Sequence, residues 1–300
     1  MKNIDFVVTY VDSQDPEWRI GYNKMCERKG VLKILSANRY REWNTLKFIF
    51  RGVDKCMPWI RNVYLVVQRQ SQIPSWVNTD NVKVVFHSDI IPERYLPIYN
   101  STGIELFLYK IPGLAEKFLY ANDDMIPLSD LSPSDFYDKE DNPKLCCVKR
   151  EFNKNSSQYM HHLHNGLSLV CEILGEKIPE NYIITTGHSI APMLKSTWEL
   201  LWREKSSNLS MSISPFRTHD NINQDVAQFM QILTNKYTTS IRNTKYMEMK
   251  DIESVCKNIE ESNSQILCIN DQDSISYEYA KKQITTSFMR RFPSKSKYEK

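Results

Sequence analysis

Four short apolar runs mark the first half of the chain: Ile4-Asp5-Phe6-Val7-Val8-Thr9-Tyr10-Val11, Val63-Tyr64-Leu65-Val66-Val67, Val82-Lys83-Val84-Val85-Phe86 and Phe118-Leu119-Tyr120-Ala121. Each is rich in β-branched and aromatic residues and bounded by polar or proline-containing segments, the pattern of a buried strand. Between them, Trp43, Leu46, Ile49, Phe50 and Val53 recur at helical spacing, and Ile104 to Tyr109 follows the cap-like pair Asn100-Ser101. Strands alternating with helices predict an α/β layer around a mostly parallel central sheet.

From about residue 153 the pattern becomes more helical. His162 to Leu174, Pro192 to Trp202, Ile222 to Leu233 and Ser274 to Met289 all carry amphipathic spacing. The polar stretches Asn153 to Gln158 and Lys205 to Ser212 read as loops, and Lys295-Ser296-Lys297 as a solvated basic tail. There is no internal repeat.

Composition narrows the chemistry. With 39 Lys+Arg against 36 Asp+Glu and a net charge of +3, the 300 residues carry no bulk field that argues for nucleic acid or anionic lipid. The 8 glycines never lie closer than nine positions apart, which excludes both a P-loop and a GxGxxG fingerprint. Any bound phosphate must therefore be met by Arg, Lys, helix ends or a metal. The 7 cysteines are odd in number and form no CxxC pair, so reduced, mostly buried thiols in a cytoplasmic protein are expected. No basic segment followed by an apolar one marks Met1 to Asp5, so a secretory leader is not expected, and no run approaches the length of a membrane span.

Ligands of open parallel sheets bind beyond the carboxyl ends of the strands. Asp12 follows the first run, with Asp15 nearby, and Asn122-Asp123-Asp124 follows the fourth. Adjacent carboxylates suit a hard divalent cation such as Mg2+ or Mn2+ set against a diphosphate; the same tripeptide also suits a turn or helix cap. His188, in the polar break Thr185-Thr186-Gly187-His188-Ser189, is placed either as a general base or as a loop histidine bonded to backbone. His161, His162 and His164 read as packing residues. In Ser214-Pro215-Phe216-Arg217-Thr218-His219-Asp220, Arg217 offers a planar fork for phosphate or a structural ion pair, and Asp220 a cap for the next helix.

Taken in order, these segments resemble the conserved blocks of the Stealth family of hexose-1-phosphoryl transferases. The first block is similar to Ile4 to Asp12 with Asp15-Pro16-Glu17-Trp18. The second, longest block is similar to Arg39 to Asp124, notably Pro58-Trp59-Ile60-Arg61, Ile73-Pro74-Ser75-Trp76, Tyr99-Asn100-Ser101, Ile111-Pro112-Gly113-Leu114 and Asn122-Asp123-Asp124-Met125. Gly187 to Lys195, then Phe216-Arg217 with Asp220, resemble the third and fourth, and Cys268-Ile269-Asn270-Asp271 with Phe292-Pro293-Ser294-Lys295-Ser296 the family's ending.

The resemblance implies a sheet of nucleotide-sugar-transferase type, GT-A-like or Rossmann-like. It also implies one catalytic domain over residues 1–300, with an α/β half at 1–152 and a helical half at 153–300 completing the active site. The implied reaction moves a sugar 1-phosphate from a nucleotide sugar, usually a UDP-sugar, to a hydroxyl of a glycan or lipid-linked oligosaccharide. UMP is released, and the protein would work in the cytoplasm, at the inner membrane face if peripherally associated. His188, Arg217 and Asp124 are then the expected catalytic groups. Asp12, Asn100, Asn122, Asp220 and Asn270 would contact donor or acceptor, and Asp123, Asp124 and Asp271 would hold the divalent cation. A metal-dependent glycosyltransferase releasing UDP and a non-catalytic glycan-binding module are the alternatives.

Overall fold

The computed structural model describes residues 3–31, 40–271 and 276–300. Its strands are β1 (Ile4–Thr9), β2 (Val63–Val67), β3 (Val82–Phe86), β4 (Lys117–Ala121), β5 (Met125–Pro127), β6 (Lys144–Leu145), β7 (Val148–Glu151), β8 (Tyr182–Thr185), β9 (Ala191–Leu194), β10 (Thr238–Thr239), β11 (Thr244–Glu248) and β12 (Ile266–Asn270). The helices are α1 (Pro16–Lys29), α2 (Thr45–Cys56), α3 (His87–Ile90), α4 (Ser101–Glu105), α5 (Pro133–Phe136), α6 (Gln158–Leu174), α7 (Lys195–Met211), α8 (Asp225–Leu233), α9 (Ile252–Glu261) and α10 (Tyr277–Arg291).

The central sheet has the order β3-β2-β1-β4-β9, parallel except for β9. This is the expected α/β architecture, with its four parallel strands at the four apolar runs. The runs are continuous because both faces are covered. Phe6, Val8, Leu65, Leu119 and Ala121 enter one core cluster, while Val7, Tyr64, Val66, Phe118 and Tyr120 enter the other. α2 packs close over β5 at Gly52, where a Cβ would collide with the Pro127 carbonyl.

The second half does not stand apart from this sheet. β9 pairs antiparallel with β4, and β12 pairs antiparallel with β5 and parallel with β11. The helix expected at Pro192 therefore begins only at Lys195, because Ala191 and Met193 are buried in an edge strand. Such an edge tolerates the missing N–H of Pro192. Lys205 to Ser212, expected as a loop, lies mostly within α7; burial of Leu209 carries the helix past a break at Lys205.

The lysines of the basic tail, Lys295 and Lys297, are exposed as expected, but the chain around them is docked rather than free. Ser296, Tyr298 and Glu299 are buried, the Lys300 amide donates to the Trp76 carbonyl, and Glu299 forms a two-pronged pair with Arg51 at 2.8 Å on each arm. The expected cap at Asp220 also fails, since α8 begins at Asp225 and Asp220 is exposed. Ser274, the expected start of the last helix, lies outside the described residues.

Candidate functional site

The carboxyl ends of the parallel strands open into a cavity of about 640 Å³. Tyr10, Gln68, His87 and Asn122, each one residue past its strand, stand along its wall with Asp123, Asp124, Asn100, His188, Arg217, Asn270 and Asp271. Eight of the ten expected site residues thus meet in one space. The other two do not line it. Asp12 is turned into its own loop, where its Oδ1 accepts the Gln14 amide at 2.8 Å, and Asp220 is exposed.

Asp124 is the hub. Its Oδ2 receives His188 Nε2 at 3.1 Å and Cys268 Sγ at 3.5 Å, while its Oδ1 is buried with no hydrogen-bond partner among the described residues. The β5–β12 pairing delivers Cys268 to this place, and the Ile269 amide donates to the Asp124 carbonyl at 3.0 Å. Burial, and then the charge of Asp124, push the Cys268 thiol well up, so it stays protonated and acts as a donor.

His188 follows Gly187, whose φ of 81° turns the chain sharply after β8. The loop is pinned on both sides: Thr186 Oγ1 donates to buried Asp225 at 2.5 Å, and Ser189 Oγ lies 2.7 Å from Thr244 Oγ1. Burial opposes a charged imidazole here, but the charge and hydrogen bond of Asp124, with Asp225 and Glu105 further off, raise the His188 pKa above its ordinary value. A carboxylate on Nε2 fixes that nitrogen as the protonated one and leaves the Nδ1 lone pair to act as a base.

Arg217 reaches the cavity from the loop before α8, and its Nη2 donates to Ser101 Oγ at 2.7 Å. That loop is held from beneath by α6: His162 Nε2 lies 2.6 Å from the Thr218 carbonyl, and Gln158 Nε2 donates to the Arg217 carbonyl at 3.3 Å. His161 and His164 pack against Phe152, in keeping with their reading as packing residues.

The carboxylates fit a cation. Asp123 is pushed up to about 8, first by burial and then by the negative charges of Asp124 and Glu42, a repulsion that a bound cation relieves. Asp124 Oδ1 is an open oxygen ligand beside it. Asp271 is more committed, its Oδ2 accepting from Arg41 Nε at 2.9 Å and Trp43 Nε1 at 3.1 Å. Among the described residues, three ligand atoms that converge within 4.8 Å of one another are those of Asp124, His188 and Cys268.

Sequence reasoning missed Tyr10, Gln68, His87, Cys268 and the supporting carboxylates Glu105 and Asp225. Gln68 and His87 had a signal, as each is the first residue beyond an apolar run. Cys268 stood in a family block but with no role marked, and Asp225 had no signal, because their contacts arise from pairings across more than a hundred and of about forty residues respectively.

Among the described residues, no helix is long and apolar enough to cross a membrane. The galactosyltransferase LgtC, solved with donor and acceptor sugar analogues, superposes with a TM-score of 0.43 at 11% identity over 94% of this chain and 95% of its own. That likeness is too slight to bear on the chemistry. Conserved region 2 of Stealth proteins matches residues 39–145. The receptor polysaccharide phosphotransferase WefC of Streptococcus oralis is 30% identical across all of both chains. The capsular polysaccharide phosphotransferase WcwK of Streptococcus pneumoniae is 29% identical, again over 100% of each. Full-length identity at this level, with a family region lying across three of the four parallel strands whose ends open into the cavity, means that the chain belongs to the Stealth family.

Proposed function

We propose that this protein transfers a sugar 1-phosphate from a nucleotide sugar, a UDP-hexose or UDP-N-acetylhexosamine, to a hydroxyl of a capsular or cell-wall glycan. The observation that carries the reading is the Asp124–His188 pair, with its free Nδ1, on the wall of the cavity that Arg217 also enters. The names of the full-length relatives support a phosphotransferase acting on polysaccharide.

The acceptor oxygen attacks the sugar-bearing phosphorus as His188 Nδ1 takes its proton, and Asp124 steadies the imidazolium that results. The new bond joins acceptor oxygen to phosphorus. The bond that breaks joins that phosphorus to the bridging oxygen, which leaves on UMP. Arg217 offers a charge-assisted fork to the phosphoryl oxygens, where negative charge spreads in the transition state. A divalent cation held by Asp123 and Asp124 would add Lewis-acid neutralisation of the diphosphate. The anomeric carbon–oxygen bond is untouched, so configuration there is retained. All 300 residues act in this reading as one catalytic domain.

The test is to incubate purified protein and an acceptor glycan with a panel of UDP-sugars, then identify the released nucleotide and examine the product by phosphorus NMR. UMP with a phosphodiester product supports the proposal. UDP with a phosphorus-free product replaces it with a glycosyltransferase, and absence of turnover with any donor would favour a binding module.

A further inference from the structure

We infer that Gln68 and His87 form the subsite that reads the base of the nucleotide donor, at the end of the cavity farthest along the sheet from Asp124. This inference rests on the proposed use of a nucleotide sugar and adds which residues select the nucleotide and how the donor lies.

The sheet supplies the distance. In the order β3-β2-β1-β4, the first residues beyond the strands are His87, Gln68, Tyr10 and Asn122, and all four line the cavity. Three strand spacings amount to about 14 Å, comparable to an extended nucleoside diphosphate. With the reacting phosphate at Asp124 and His188, the base falls at Gln68 and His87.

The two ends also differ in chemistry. The Asn122 end carries carboxylates and a raised histidine, suited to phosphate, cation and proton transfer. At the other end the lining groups Gln68 and His87 are neutral, and the charge of Arg69 acts on the neighbouring Tyr99. Oε1 and Nε2 of Gln68 are buried, neither has a partner at full hydrogen-bond geometry among the described residues, and the amide shares only a loose side-chain bond with the Tyr99 hydroxyl. His87 is 5% exposed, and its Nδ1 is likewise buried and unpartnered. Burial alone pushes this imidazole down to about 3, so it is neutral at any working pH.

Buried groups left this way favour a ligand that completes their hydrogen bonds. A primary amide sets one donor beside one acceptor, the complement of the paired donor and acceptor on the edge of a nucleobase. His87 adds a third contact. Trp18, Tyr40 and Tyr99 line the same cavity and provide aromatic surface for a planar ring.

The experiment titrates the full chain with UMP, CMP, AMP and GMP in the presence of Mg2+, using wild type, Gln68→Met, Gln68→Ala and His87→Asn, with a thermal melt of each. Wild type should prefer one base by tenfold or more. Both Gln68 variants should weaken that nucleotide by about tenfold or more and level the ranking, while affinity for inorganic diphosphate stays unchanged. His87→Asn probes the same subsite from a second position should the Gln68 variants melt early, and the same loss of ranking is expected. The inference is overturned if folded variants keep the wild-type ranking, or if they raise only the KM for the acceptor. Nucleotide turnover that persists with an unchanged ranking sinks this assignment alone. Failure of wild type to bind any of the four nucleotides sinks the nucleotide-sugar reading with it.

Discussion

Acidification should weaken the fold through His162, which supports the segment carrying Arg217. Its side chain is 1% exposed, and a carbonyl oxygen at 2.6 Å can only accept, so Nε2 carries the proton and the ring is neutral. Burial, helped by the charge of Arg217 and by His219 and His161, lowers the pKa from 6.5 to about 4 against the opposing pull of the Thr218 carbonyl. The unfolded chain regains the ordinary value. Between those two pH values it binds a proton that the folded chain does not, so stability is complete above the unfolded pKa and falls with pH down through the folded one. The gap corresponds to roughly 3 kcal/mol in full, of which about 2 kcal/mol is lost by pH 5.

The assay is urea unfolding of wild type and His162→Gln at neutral pH and near pH 5. Glutamine keeps an N–H for the Thr218 carbonyl but does not titrate. Wild type should lose about 2 kcal/mol more than the variant on acidification. Equal losses in the two proteins would refute the argument, since other groups, buried His87 among them, titrate alike in both.

Three further outcomes follow from the geometry. His188→Ala should lower turnover by roughly two or more orders of magnitude, with donor affinity and melting temperature nearly unchanged; near-normal turnover in a normally folded variant would pass the base role to an aspartate, Asp124 first. Excess chelator should abolish turnover, and added Mg2+ or Mn2+ restore it; full activity in chelator would leave Arg217 and its neighbours to meet the diphosphate unaided. Glu299→Ala should cost about 3–5 kcal/mol in a denaturant titration, because it strands a buried Arg51 guanidinium; a loss below about 1 kcal/mol would mean that water reaches Arg51 freely.

What the sequence disclosed depended on range. The four parallel strands and the α2 region announced themselves, since residues buried on both faces make unbroken apolar runs and one-sided burial makes a helical stripe. α1 carries helix signals too, with Asp15 capping, Pro16 in the first turn and Gly30 at φ 62° closing the helix. β9 misled because Pro192 ordinarily opens a helix, and only its place at a sheet edge makes a strand of it. Charge rightly placed Lys295 and Lys297 in solvent but hid the docking of the terminus, where Tyr298 and Glu299 find partners some 220 and 250 positions away. Asp124, His188 and Arg217 could be named from local context. Their supports, Cys268, Asp225 and His162, could not, because nothing near them in the chain marks the group they touch.

The union of Met125 with Cys268 across the β5–β12 pair has a consequence for how the protein comes into being. Asp124 is made early in the chain, yet the thiol that bonds it is 144 positions later, and the histidine that shares it is 64 positions later. Closing such loops costs entropy that only the finished pairing repays, so contacts of this range form late in folding. The parallel strands β1, β2, β3 and β4 can collapse together while the ribosome is still supplying the rest, and that nascent sheet already carries the aspartates. It has no means of using them. The full lining of the cavity is assembled only when the late strands dock, so an immature chain holds Asp123 and Asp124 without His188 or Arg217, and under the proposed function competence arrives together with the completed fold.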